Sequence, residues 1–113
     1  MTVERGSLAY QILDECKCGP EEFFVLVSSV EEDDLEAFLQ ILVKLVAKDH
    51  LKCDRGAQED IPLSIEDLHS YVANRRAAGE DLEQYPTVCE EFRFTTTERG
   101  IELLLPEDRP VSS

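Results

Sequence analysis

Asp33 to His50 reads DDLEAFLQILVKLVAKDH. Placed at helical periodicity, Leu35, Phe38, Leu39, Ile41, Leu42, Val43, Leu45 and Val46 fill an apolar arc of roughly 200°, about twice the stripe of an ordinary surface helix. A helix with that much apolar surface needs cover on two sides, from the rest of the chain or from a second subunit. Leu35, Phe38, Leu39, Leu42 and Val46 are therefore candidates for the core or for a homodimer seam. The remaining stripe carries Asp33, Glu36, Gln40, Lys44 and Lys48, with acid first and base last, the order that the helix dipole favours.

The flanks of this helix supply its neighbours. On the N-terminal side, Ser7 is placed to cap a first helix reaching about Lys17, in which Leu8, Ile12, Leu13 and Cys16 recur at helical spacing. Gly19-Pro20 ends it. Pro20 and the acidic pair Glu21-Glu22 suit the first turn of a second, short helix whose buried face is Phe23, Phe24, Leu26 and Val27. On the C-terminal side, Leu51 to Asp54 alternates apolar with polar and reads as a strand ending at Arg55-Gly56, with Leu51 and Cys53 inward. Residues 57–87 depart from that pattern. Within them Ser64, followed by Asp67 three residues on, marks the N-cap of another helix with Ile65, Leu68 and Val72 on one face, and Gly79 stops it. Val88 to Thr95 reads as a second strand with Phe92 and Phe94 on one side and Arg93 on the other. Thr97-Glu98-Arg99-Gly100 and an apolar run, Ile101 to Leu105, follow. Residues 106–113, punctuated by Pro106 and Pro110, read as a disordered tail.

The 113 residues match one domain, with a core that needs neither metal nor disulfide. Twenty-five Asp and Glu against 11 Lys and Arg leave a formal net charge of -14. A field of that sign repels DNA and anionic membranes unless a segregated basic patch opposes it, and it favours a protein partner with a basic surface. High-salt adaptation is the other explanation: the few lysines fit it, and the excess of Glu over Asp does not. No apolar run reaches the roughly 18 residues of a membrane span, because Lys44 and Lys48 interrupt the longest one. No cationic leader with an apolar core is recognisable, so the expected compartment is the cytoplasm. Four cysteines there are thiols or ligands rather than disulfides.

In its order of elements, the chain resembles the winged helix-turn-helix domains of small bacterial and archaeal transcription regulators. The resemblance rests on three helices, Leu51 opening a strand just after the third of them, a second strand, and the pattern Thr97-x-x-Gly100 followed by Leu103 and Leu104. It covers Leu8 to Arg55 and Phe92 to Leu104. It implies an α+β, mainly helical fold over residues 1–105, with a helical insertion at 57–87 between the two wing strands. It implies a transcription-regulating, DNA-binding role for the third helix, and it brings the segment after helix one to the wing strands, near which Cys18, Cys53 and Cys89 would gather.

Two departures redirect the functional reading. The insertion is much longer than an ordinary hairpin connection. A recognition helix also presents its N-terminal residues to base edges, and here those include Asp33, Asp34 and Glu36. The expected function is therefore a non-enzymatic winged-helix regulatory module working through protein contacts as a homodimer. A DNA-binding transcriptional regulator is the alternative, and for it Gln40, Lys44, Lys48, Arg75 and Arg76 would have to converge on one face.

Other chemistry finds little support in the residue pattern. Cys16, Cys18, Cys53 and Cys89 form a C-x-C and two distant singles, without the C-x-x-C pairs of a zinc site, so no metal is expected and the thiols read as buried or incidental. His50 suits a helix C-terminus, and His69 reads as exposed. No Gly-rich phosphate loop and no paired base and nucleophile stand out, so neither a cofactor nor catalysis is expected.

Overall fold

The structure is a computed structural model, which describes residues 6–87 and 91–110. The first helix, α1 (Leu8–Glu15), starts where expected: Ser7 Oγ accepts a hydrogen bond from the Tyr10 amide at 3.2 Å. It buries Tyr10, Ile12 and Leu13, with Cys16 just beyond its last turn. The next stretch departs from the sequence reading. Glu21-Glu22 does not open a helix; it forms a short strand, β1 (Glu21–Glu22). The helix α2 (Phe23–Val27) begins only after it. The reason lies elsewhere in the chain, since the edge of a distant strand offers unpaired backbone groups that these two residues satisfy.

The long apolar helix splits in two. Glu32–Asp34 wind as a single 3-10 turn, and α3 (Leu35–Ala47) follows. Asp49 takes a left-handed backbone, φ 61°, which ends the helix before His50. From there β2 (Leu51–Arg55) pairs antiparallel with β3 (Phe92–Thr96), Cys53 opposite Phe94, and β1 adds to the other side of β3 with Glu21 opposite Phe94. The sheet order is β1-β3-β2. Of the strand expected from Val88, residues 88–90 lie outside the described ones, and Glu91 precedes the strand. As the alternation required, Leu51, Cys53, Phe92 and Phe94 all face the core.

Between β2 and β3 the insertion doubles back before it leaves the sheet. The Ile61 amide donates to the Cys53 carbonyl at 2.8 Å and the Arg55 amide to the Gln58 carbonyl at 2.9 Å, so the outer edge of β2 is covered rather than open. Ser64 then caps α4 (Ile65–Ala77), accepting from the Asp67 amide, and Gly79, φ 78°, supplies the left-handed residue past its end.

This inserted helix resolves the cover problem of α3. Leu35, Phe38, Leu39, Leu42 and Leu45 are buried, Val46 is half-buried, and α1, β2 and α4 all pack on the helix. Full burial of each such side chain is worth about 1.5–3 kcal/mol. Most of the apolar arc is thus covered within the chain, while Ile41, Val43 and Val46 stay half-buried. Phe23 links the layers, lying 6.1 Å from Phe38 on α3 and 5.3 Å edge-on to Tyr71 on α4. Tyr71 in turn stands 5.1 Å from Phe92.

The Thr-x-x-Gly segment is a latch. Thr97 Oγ1 donates to the Asp49 carbonyl at 2.6 Å and accepts from the Gly100 amide at 3.1 Å, while the Thr97 amide donates to the His50 carbonyl. This caps α5 (Glu98–Ile101) and fastens it to the turn between α3 and β2. Residues 106–110 differ from the disordered tail expected there. Pro106–Asp108 form a 3-10 turn, and the Tyr10 hydroxyl donates to the Asp108 carboxylate while accepting from the Leu105 amide. Lys17 Nζ donates to the Asp108 carbonyl at 2.6 Å. A buried tyrosine needs a partner for its hydroxyl, and the C-terminal turn provides it. Among the described residues the architecture is α+β, with five α-helices and a three-stranded antiparallel sheet.

Gly100 has no room for a side chain: a Cβ there would sit 2.1 Å from the His50 carbonyl oxygen and 2.7 Å from Thr96 Cγ2. Gly100→Ala is expected to cost at least about 2 kcal/mol, as overpacking against backbone does. Urea unfolding of the two proteins measures the difference.

Candidate functional site

The five residues singled out for contact with nucleic acid or a partner do not form one patch. Gln40, Lys44 and Lys48 follow each other at four-residue spacing on the exposed side of α3, continuing a line that begins with Glu36. Gln40 Nε2 donates to Glu36 Oε1 at 3.0 Å, so it serves the acidic end of that line. Lys48 lies about 18 Å further along the axis than Glu36. There it joins Arg99 around His50, whose pKa is lowered first by burial and then by those two positive charges.

Arg76 sits at the other end, its guanidinium 2.5 Å from Glu32, with both side chains about half exposed or more. His69, exposed as expected, places Nε2 2.8 Å from Glu36. Glu36 therefore has two partners, and its pKa is lowered by the Gln40 hydrogen bond and then by that of His69. These two contacts tie α4 to the start of α3 across the surface. Neither was legible from spacing, because their partners stand 44 and 33 residues apart in the chain.

Arg75 does not share the exposed surface of its neighbour Arg76. It is 2% exposed and donates to the carbonyls of Asp81, Leu82 and Gln84 at 3.2 Å or less, with Nε 3.2 Å from Glu80. Its planar fork of donors organises the loop after α4, a task a lysine could not perform. A guanidinium engaged in this way is not available to a phosphate. The helical period explains the difference between the neighbours: one step of 100° turns Arg75 inward beside Tyr71 and Arg76 outward.

A second polar cluster, missed in the sequence, lies beneath. Glu91 is buried; its Oε1 accepts from the Phe24 amide at 3.0 Å and its Oε2 from the Tyr71 hydroxyl. Burial raises the Glu91 pKa, against the lowering by those hydrogen bonds and by the charge of Arg75. Tyr71 is raised by burial and then by Glu91. The Arg75 guanidinium lies 5.7 Å from the Tyr71 ring centroid. The cluster joins α2, α4 and the approach to β3. Only the acid Glu91 preceding Phe92 was visible beforehand, and nothing in the pattern showed that it turns inward.

Cys16 and Cys53 are buried, and burial pushes both thiols up to about 12, so they pack as small neutral side chains. Cys18 is exposed, and Cys89 lies outside the described residues. Among the described residues no three His, Cys, Asp or Glu side chains converge where a metal ion could be held, and no helix is long and apolar enough to cross a membrane. No protein-family model, no curated protein and no solved structure matches this chain. What the geometry defines is an α+β domain whose exposed features are an acid-to-base line along α3 and a bridged cleft between α3 and α4.

Replacing Arg75 by Met leaves three carbonyls without their donor, and a loss of about 3 kcal/mol in unfolding free energy is expected, with faster amide exchange over residues 80–87. Glu91 carries a pH signature of the opposite sense to a salt-bridged acid. Its folded pKa lies above the unfolded value, so the stabilisation it contributes is fully present below the unfolded pKa and is lost as pH rises through the folded one. Glu91→Gln should flatten that decline, seen as a Tm difference between the variant and the parent that grows from acid toward neutral pH.

Proposed function

We propose that the protein is a winged-helix regulatory module that acts through protein contacts and not through catalysis. The order α1-β1-α2-α3-β2-β3, with α4 inserted between the last two strands, supports the winged reading. So does the pairing of the segment after α1 with the wing strands. The observation that carries the functional reading is the leading end of α3, where a winged domain that reads DNA would meet base edges. Asp33, Asp34 and Glu36 are exposed there, and carboxylates facing phosphates are costly. Arg75, one of the cations that would offset them, is buried and engaged. The net charge of -14 acts in the same direction and favours a partner with a basic surface.

The second reading, a DNA-binding regulator, draws on one feature: Lys44 and Lys48 are exposed one turn apart on α3. The two readings separate in a mobility-shift assay with a random-sequence duplex pool at low and moderate salt. The protein-contact module retains no duplex. Tight, sequence-selective binding that weakens steeply with salt and disappears in Lys44→Glu would establish the second reading instead.

A further inference from the structure

Two depressions adjoin at the start of α3, one between α3 and α4, the other between the segment from α2 to α3 and the loop after α4. One, of about 410 Å³, has Leu39, Val72 and Ala73 among its lining residues; the other, of about 140 Å³, has Val27, Val30 and Leu82. They share Glu32, Leu35 and Arg76, so the Arg76–Glu32 pair is a bar across one continuous trough. The second bar is His69–Glu36. Along the rim, Glu32, Glu36, Asp81 and Glu83 set four carboxylates against Arg76 and His69, with Glu80 already held by Arg75. An aliphatic floor with a mainly acidic rim is the form that receives an amphipathic helix of opposite charge.

Resting on the protein-contact reading above, we propose that this trough docks a basic amphipathic helical segment of a partner protein. The charge of the rim selects the partner's cations, and the floor takes its aliphatic side. Arg76 already displays the accepted chemistry, a guanidinium on an aliphatic stem seated beside Leu35 and paired to Glu32. Both bars are exposed polar contacts, which contribute little to stability and exchange partners at little cost. An incoming arginine takes over Glu32 or Glu36, and Arg76 and His69 swing out to solvent. The same rim turns away acidic segments, which sets specificity by repulsion as well as attraction.

The probe is a fluorescein-labelled helical peptide with leucines on one face and arginines on the other, titrated by anisotropy into the full chain. The same peptide with glutamates for arginines is the control. Glu32→Gln with Glu36→Gln should weaken binding about tenfold. Ala73→Trp, which fills the trough without changing charge, should weaken it by a similar factor, while Glu98→Gln on α5 with Glu102→Gln just past its end should change it by less than about twofold. Circular dichroism verifies that each variant folds. Equal weakening by the Glu98 and Glu102 pair, or full binding by Ala73→Trp, would show attraction to net charge alone and overturn the proposal. Absence of binding by the arginine peptide overturns it too. In that case a negative mobility shift leaves the protein-contact reading standing, whereas selective duplex binding removes that reading itself.

Discussion

Tyr71 is the contact on which the rest of the structure depends. Its ring stands edge-on to Phe23 and to Phe92, which ties α2 and β3 to the inserted helix, and its hydroxyl meets the buried carboxylate of Glu91. Edge-to-face aromatic pairs add about 0.5–1.5 kcal/mol each beyond area burial. Without α4, the α3 helix would expose part of its apolar arc to water. The insertion is thus part of the core and not an appendage to a hairpin. Its own ends are held by the same logic, Ser64 capping one and the Arg75 fork gathering the loop at the other.

Polar groups in this domain divide by what they hold. Glu91, Arg75 and the Tyr10–Asp108 contact lie in or against the core, where leaving a donor or acceptor unmade is expensive; the first and last join segments far apart in the chain, and Arg75 gathers the loop that follows its own helix. Glu32, Glu36, His69 and Arg76 lie in solvent, where pairing is weak and exchangeable. The surplus of acid is therefore largely a property of the surface, the start of α3 and the trough included. It shapes association more than folding.

Much of the local structure was legible residue by residue. Ser7 and Ser64 as caps, Gly79 as a stop, Leu51 and Cys53 inward, and Phe92 with Phe94 on one face all depend on interactions within a few positions, and those interactions form in any context. The Glu21-Glu22 segment was not legible, because its strand conformation is made by the edge of β3 more than seventy residues away. The candidate contact set fared similarly. Gln40, Lys44 and Lys48 share a helix and stayed together, whereas Arg75 was drawn inward by carbonyls of a loop whose path no local rule describes.

By itself, then, the sequence determined that a long helix with a 200° apolar arc must be covered on two sides, that three further helices and two strands accompany it, and that acid dominates the composition, since periodicity, capping and charge are local or additive. Only the tertiary structure decided that the inserted helix is one of the elements that cover α3. It alone turned Thr97-x-x-Gly100 into a latch on the His50 carbonyl. It alone, too, made Arg75 a scaffold while leaving Arg76 on the rim. Those outcomes turn on which distant backbone groups and apolar faces meet, and that is settled by packing and by the cost of unsatisfied buried polar atoms.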